Sequence, residues 1–148
     1  MSDRVRVRAA GPADLAAVKA IMDAHRHELG FVPRPALATA AARGWLLVAE
    51  LDDRIVGALN WWTRRDGVVV LYNVAVAAGM RGRGVGRSLL DALISWARQR
   101  GARQVALKCP EDLPANDFYR RAGFTLRRRE PGKRRGLNCW ALCLQARS

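Results

Sequence analysis

Hydrophobic and polar residues recur along the chain with periods that predict its first elements. Residues 4–8 alternate arginine and valine, a two-residue period that predicts a strand with one buried face. Apolar residues then recur at helical spacing between Pro12 and Gly30, and the stripe that they form includes His25. The alanine-rich segment 35–43 predicts a second, shorter helix. We therefore expect the chain to begin with a strand followed by two helices.

Three predicted strands follow in close succession, at 45–51, 54–63 and 68–77. The pair Asp52-Asp53 and the tripeptide Arg65-Asp66-Gly67 separate them, and short polar turns of this kind join antiparallel neighbours. The pattern therefore predicts an antiparallel meander.

The second half of the chain alternates helices and strands. The strongest helical pattern covers 84–100, where apolar residues recur at four-residue steps, at Val85, Leu89, Leu93 and Ala97. The remaining predicted elements are a strand at 103–109, a short helix from Pro114 to Gly123, and two strands, about 124–130 and 136–145, around the turn Pro131-Gly132. The order β-α-α-β-β-β-α-β-α-β-β predicts an α/β (α+β) fold with a mixed, mostly antiparallel sheet of about seven strands flanked by about four helices.

Length and composition indicate the class of protein. The 148 residues suit one domain spanning 1–148, and half of them are apolar. No apolar run approaches 20 residues and Met1-Ser2-Asp3-Arg4 lacks a secretory apolar stretch, so we expect a cytoplasmic protein that does not enter a membrane. The three cysteines are too few for a disulfide framework, and Cys139 and Cys143, with no histidine nearby, predict core thiols rather than a metal site.

The net charge of +13, nearly all of it from arginine, favours anionic ligands or surfaces. Two interpretations remain open at this point. One is a protein that binds RNA, DNA or an acidic protein, and the other is an enzyme with a polyanionic cofactor and an arginine-rich composition.

A glycine-rich loop precedes the longest predicted helix. It has the sequence Arg81-Gly82-Arg83-Gly84-Val85-Gly86 and follows an apolar strand. Free backbone N–H groups and the positive end of the helix dipole make such a turn an anion site, to which the arginines add charge. Neither a P-loop nor a dinucleotide fingerprint fits, because Arg87-Ser88 follows the last glycine and the glycines alternate every two residues. A connector without a ligand is the alternative.

Two segments of the chain together resemble the GNAT superfamily of acetyl-CoA-dependent N-acetyltransferases. Val74-Ala75-Val76 and Arg81-x-x-Gly84-x-Gly86 resemble its coenzyme A motif, and Ala115-Asn116-Asp117-Phe118-Tyr119 with Ala122-Gly123-Phe124 resembles its second segment. The predicted element order also matches, so the resemblance covers essentially the whole chain. It implies that acetyl-CoA is the co-substrate, without a metal, and that the coenzyme contacts are Val74, Ala75, Val76, Arg81, Gly82, Arg83, Gly84, Val85, Gly86, Arg87 and, on the short helix, Asn116.

The resemblance also implies a reaction in which an amine attacks the acetyl thioester directly. Tyr119 matches the family's general acid; a packed aromatic beside Phe118 and Phe124 is the alternative. The base is open, because neither Tyr72 nor Asn73 is acidic and Lys108 occupies another frequently acidic position. The remaining candidates are Glu28, Glu50, His25 and His27, a water chain, or no base at all, and His25 is predicted to be a hydrogen-bonded core histidine.

The resemblance places the acceptor between the first helices and the last hairpin. That hairpin, Arg127 to Gly136, carries six basic residues against Glu130, which predicts either a solvated face or a dock for an anionic acceptor. Of Trp61 and Trp62, one is predicted to be core and the other to line the acceptor cleft. Three functions stay open: acetylation of a small or peptide amine, acetylation of an RNA-linked amine such as aminoacyl-tRNA, and a non-catalytic coenzyme-binding or nucleic-acid-binding module. A monomer and a homodimer are both compatible with the sequence.

Overall fold

The computed structural model describes residues 4–144, which form seven strands and five helices. The strands are β1 (Arg6–Ala9), β2 (Leu46–Leu51), β3 (Arg54–Thr63), β4 (Val68–Val76), β5 (Gln104–Pro110), β6 (Thr125–Glu130) and β7 (Leu137–Cys143). The helices are α1 (Leu15–Ala24), α2 (Arg26–Leu29), α3 (Arg34–Arg43), α4 (Val85–Gln99) and α5 (Ala115–Arg121). A 3₁₀ turn, Pro12–Asp14, leads into α1.

The strands form one sheet in the order β1-β2-β3-β4-β5-β7-β6, which confirms the predicted mixed α/β fold. The helix predicted between Pro12 and Gly30 is interrupted, however. His25 leaves helical geometry with φ −108° and ψ 24°, so α1 and α2 are separate and the helices number five rather than four. A hydrophobic period alone cannot show this break, because the apolar stripe continues across it.

The chain forms two compact units. The first contains residues up to Trp62 together with Asn73–Leu93, and the second contains Thr63–Tyr72 and the residues from Ile94 onwards. Among the described residues, no helix is both long and apolar enough to cross a bilayer.

In the first unit, β2 pairs antiparallel with both β1 and β3. The turn between β2 and β3 consists of Asp52 and Asp53 alone, both with positive φ, as tight hairpins require. Helix α1 packs against α3, and α3 packs against β2. The core that these elements share is fully buried at Val18, Met22, Leu37, Leu46 and Val48. Burial of these side chains is the main stabilising contribution in this unit.

Helix α4 begins close to β3 in the same unit. A Cβ atom on Gly57 would lie 2.8 Å from Val85 Cγ1 and 3.1 Å from Leu89 Cδ1, so this position allows α4 to approach β3 only as glycine. Gly57 therefore allows the first turn of α4 to pack closely on β3.

In the second unit, β7 pairs antiparallel with β5 along its whole length and with β6 on its other side. Residues 131–136 connect β6 to β7, so the connection is longer than the predicted Pro131-Gly132 turn. Cys139 is buried, as predicted, and Cys109 is buried as well. Cys143 is exposed at the end of β7, so the prediction of a core thiol there is wrong.

Candidate functional site

The glycine loop is a turn that leads directly into α4, as its sequence predicts. Gly82 and Gly84 both have φ of +79°, a conformation that other residues adopt at a cost, and α4 starts directly after them at Val85. The amides of the first turn of a helix have no intrahelical acceptor, so those of Val85, Gly86 and Arg87 are available at this end of α4. The loop is exposed from Arg81 to Gly84. This arrangement can bind an anion through backbone N–H groups.

A polar network in the first unit connects this loop to the break between α1 and α2. His25 Nε2 lies 2.7 Å from the carbonyl oxygen of Val76, and His25 Nδ1 lies 3.2 Å from Glu28 Oε1. Arg81 Nη2 is 3.8 Å from the same carboxylate oxygen. A carbonyl oxygen can only accept, so Nε2 carries a hydrogen and donates it to Val76. His25 is therefore a hydrogen-bonded histidine, as predicted, and its Nε2 is not available as a base.

Strands β4 and β5 run parallel at their start and then separate. Their register pairs Val68 with Gln104, Val69 with Val105 and Val70 with Ala106, and it does not continue to Leu71 or Tyr72, although both strands do. Backbone groups of Leu71 and Tyr72 that face β5 are thus left without a ladder partner, and such groups need another hydrogen-bonding partner. A ligand with amide groups can supply it.

Tyr119 lies on α5 in the second unit with its side chain buried. Its ring makes edge contacts with Phe118 and Phe124, at centroid distances of 5.3 Å and 5.7 Å. Burial, with a smaller contribution from Cys109, raises the pKa of the Tyr119 phenol well above its usual range. The phenol is therefore protonated at neutral pH and can act as a proton donor.

Asn116, predicted to contact the coenzyme, has its side-chain amide engaged inside the second unit. Its Nδ2 donates to the carbonyls of Pro110 and Leu113, at 2.9 Å and 2.8 Å. Its Oδ1 accepts from the indole Nε1 of Trp140 at 2.9 Å and from Asn138 at 3.1 Å. These contacts give Asn116 a structural role, which is to hold the turn before α5 against β7. Its contact with a coenzyme stays a prediction.

The candidate base Glu50 has a partner, and so do the side chains at positions where the family often has an acid. Glu50 accepts from Arg8 at 2.7 Å, and Asn73 donates to Asn60 at 2.9 Å. Lys108 Nζ lies 2.9 Å from Glu130 Oε1, which brings a carboxylate to the position on β5 that the sequence left basic. Lys108 first, and then Arg128, lower the pKa of Glu130 to about 2, so this carboxylate is a poor proton acceptor at neutral pH.

The basic hairpin is opposed by more acid than the sequence indicates. Arg129 pairs with Glu111, and Arg135 donates to both oxygens of Asp112 at 3.0 Å. The expectation that Glu130 alone opposes this cluster is therefore wrong. Both carboxylates come from the β5–α5 connection, some twenty residues earlier in the chain, and no local pattern predicts their approach.

One of the two adjacent tryptophans is core, as predicted, whereas a place for the other in an acceptor cleft stays a prediction. Trp61 is buried, whereas Trp62 is 38% exposed and lies edge-on to Trp45 at 4.8 Å. Phe31 is also exposed, with Lys19 Nζ 4.4 Å from its ring centroid.

A groove of about 630 Å³ lies on one sheet face of the second unit. It opens where β4 and β5 separate, and its lining includes Tyr72, Lys108, Arg127, Arg128 and Ala141. Sequence patterns did not indicate this groove, because it depends on the β5–β7–β6 order and on the register of β6.

Comparisons with known proteins identify the family. Residues 16–124 match the model of a family described as Acetyltransferase (GNAT) family. A mycothiol acetyltransferase of Arthrobacter sp. (strain FB24) is 32% identical over 143 residues, which cover 84% of this chain and 44% of that protein. The chain thus spans less than half the length of that curated relative.

Two solved structures have similar folds. Ard1 from Thermoplasma volcanium superposes with a TM-score of 0.87 at 20% identity, covering 96% of this chain and 99% of that one. The yncA protein of Salmonella typhimurium, solved with its cofactor acetyl-CoA, has a TM-score of 0.84 at 23% identity, covering 98% and 96%. At these identities the likeness concerns the fold.

Proposed function

Since the chain belongs to the GNAT acetyltransferase family, we propose that it is an N-acetyltransferase that transfers an acetyl group from acetyl-CoA to an amine of a small molecule or peptide by direct attack. The observation that carries the proposal is the separation of β4 from β5 after Val70 and Ala106, because it leaves strand backbone free to pair with an extended ligand. The anion-binding turn at the start of α4 follows β4 in the same chain segment.

Acetyl-CoA would supply an activated thioester carbonyl, and this chain would bind it through two segments. The backbone of Val74, Ala75 and Val76 would pair with the amides of the pantetheine arm. Residues 81–87 would hold the pyrophosphate, with backbone N–H groups from the first turn of α4 and charge from Arg81, Arg83 and Arg87. Arg87 is now paired with Asp91 at 3.0 Å, an exposed pair that is weak enough to be exchanged for phosphate.

Tyr119 would give its proton to the departing thiolate. The raised pKa of the phenol keeps the proton in place until a strong base forms next to it. A backbone N–H near Val76 would stabilise negative charge on the carbonyl oxygen during attack.

We assign no side chain as the base. The pKa of Glu130 is held at about 2, His25 donates to Val76, and Glu50 is bonded to Arg8. An acceptor amine would then lose its proton to water before attack, and kcat/KM should rise with pH until the pKa of that amine is reached.

Thiol release from acetyl-CoA, measured with amines, peptides and aminoacyl-tRNA over pH 6–10, tests the function. We expect acceptor-dependent release with at least one amine and a rise of kcat/KM towards alkaline pH. Absence of acceptor-dependent release together with absence of acetyl-CoA binding in calorimetry would refute the proposal. A rate that is independent of pH below the pKa of the amine would instead indicate a base that we have not assigned.

A further inference from the structure

The groove in the second unit combines apolar side chains with several positive charges. Short side chains, Val70, Ala106 and Ala141, form part of its floor. Four cations lie in its lining: Arg64, Lys108, Arg127 and Arg128. Its volume is that of a small-molecule site, and an apolar floor with a few charged groups is the usual composition of such a site.

A bulge in β6 creates this charge distribution. Leu126 is opposite Trp140, and Arg128 is opposite the next residue of β7, Cys139, so Arg127 is an extra residue in β6. In a regular strand neighbouring side chains point to opposite faces. Here Arg127 and Arg128 both line the groove, and Arg127 Nη2 lies 3.1 Å from Cys143 Sγ. Arg129, the next residue, pairs with Glu111 instead.

Carboxylates only partly neutralise these cations. Glu130 contacts both Lys108 and Arg128, one through each oxygen, at 2.9 Å and 2.7 Å. Asp66 pairs with Arg64 at 2.6 Å. Among residues 4–144, no carboxylate lies within ion-pair distance of Arg127, whose guanidinium donates to the sulfur of Cys143. The groove therefore keeps an excess of positive charge, with Arg127 available to an incoming anion.

We propose that this groove selects an amine acceptor that carries an anionic group, a carboxylate or a phosphate, and that the bulged pair Arg127 and Arg128 binds that group. The inference rests on the proposed acetyltransferase function. Arginine can hold either anion through two parallel hydrogen bonds. The exposed ring of Tyr72, at the point where the strands separate, gives the apolar part of the acceptor a surface to pack on.

Two matched pairs of amines test the selection. Tyrosine differs from tyramine by a carboxylate, and phosphoethanolamine differs from ethanolamine by a phosphate. We expect kcat/KM to favour one or both charged members by about tenfold or more at low salt, with the carboxylate and phosphate arms identifying the anion. Arg127→Gln and Arg128→Gln should each reduce that preference to about threefold or less, with the KM for acetyl-CoA unchanged.

Arg129→Gln is the matched control, because it removes the same charge from the same strand where the side chain pairs with Glu111. It should keep the preference. Equal rates within both pairs of amines would overturn the inference and leave the acetyltransferase function intact. So would an equal loss of the charge preference in Arg128→Gln and Arg129→Gln. If Arg128→Gln and Arg129→Gln lose the preference equally and aminoacyl-tRNA is a better acceptor than all four amines, the whole hairpin binds RNA.

Binding measured without turnover separates the two proposals. Calorimetry with the same four amines in the presence of coenzyme A reports the groove alone. Tighter binding of the charged members, lost in Arg128→Gln and kept in Arg129→Gln, supports the groove even if no acetyl transfer occurs. No binding of any of the four amines, together with no charge preference in turnover, overturns it.

Discussion

At the scale of single residues, one substitution can separate the packing role of Tyr119 from its proposed role as the proton donor. Phenylalanine keeps the ring that packs on Phe118 and Phe124 and removes the proton donor. If the phenol protonates the thiolate, Tyr119→Phe should lower kcat by about 100-fold or more and leave acetyl-CoA affinity nearly unchanged. An unchanged kcat, with chemistry shown to be rate-limiting, would mean that Tyr119 only packs.

The pH dependence of the parent enzyme gives a second check on the same residue. Because burial raises the pKa of Tyr119 above its usual value, the protonated form should persist through pH 9. Any fall of kcat below pH 9 must then have another origin, and it should also be present in the residual activity of Tyr119→Phe.

Residue identity alone predicted some side-chain roles and not others. The hydrogen-bonded state of His25 followed from its place on an apolar helical stripe, because a polar ring there needs a partner. The engagement of Asn116 did not follow, since its partners Trp140 and Asn138 both lie on β7. Long-range polar contacts of this kind depend on tertiary structure and leave no local pattern.

At the scale of elements, the glycine loop and α4 make one testable unit. Gly84 needs a positive φ and lies at the positive end of α4, so Gly84→Glu adds strain and negative charge where a pyrophosphate is expected. We expect acetyl-CoA affinity to fall by at least tenfold in calorimetry. Gly101→Glu is the control, because Gly101 has a similar φ of +75° beyond the other end of α4. Equal effects of the two substitutions would show backbone strain alone.

Strand and helix positions were predictable because each element buries a face of its own. The four-residue steps of α4 appear as buried Val85, Leu89, Leu93 and Ala97. The bulge in β6 could not be predicted, since Thr125–Glu130 is a mostly exposed edge strand with no hydrophobic alternation. Register there is set by pairing with β7 and not by the side chains of β6 itself.

At the scale of the whole molecule, ion pairs hold the N-terminal strand β1 to its neighbours. Arg8 on β1 donates to Asp14 at 2.8 Å and to Glu50 on β2 at 2.7 Å, and Asp14 also accepts from the Gly11 amide. Arg8 first, then the Gly11 amide, lower the pKa of Asp14 to about 2. This carboxylate therefore stabilises the fold above the unfolded-state pKa near 4, and the stabilisation is lost as pH falls from there through 2.

Asp14→Asn should lower the free energy of unfolding at pH 7 by about 1–2 kcal/mol, a value discounted because Arg8 is partly exposed. The difference from the parent should shrink as pH falls from 5 to 3. Asp23→Asn breaks only the exposed pair with Lys19 and is the control. Urea unfolding at several pH values measures both, and a single transition would support the predicted single domain. If the difference in unfolding free energy between Asp14→Asn and the parent stays constant from pH 7 to pH 3, the lowered pKa of Asp14 is contradicted.

The bulge in β6 has a consequence for how this protein can diverge. Removing the codon for Arg127 would delete one groove cation and leave Leu126 opposite Trp140 and Arg128 opposite Cys139, as they are now. The reverse event, an insertion into a regular hairpin, would add a cation without displacing its neighbours. If Arg127 helps to select the acceptor, as we propose, acceptor preference in this lineage can change by the gain or loss of a single codon, a type of variation that comparisons limited to substitutions would not detect.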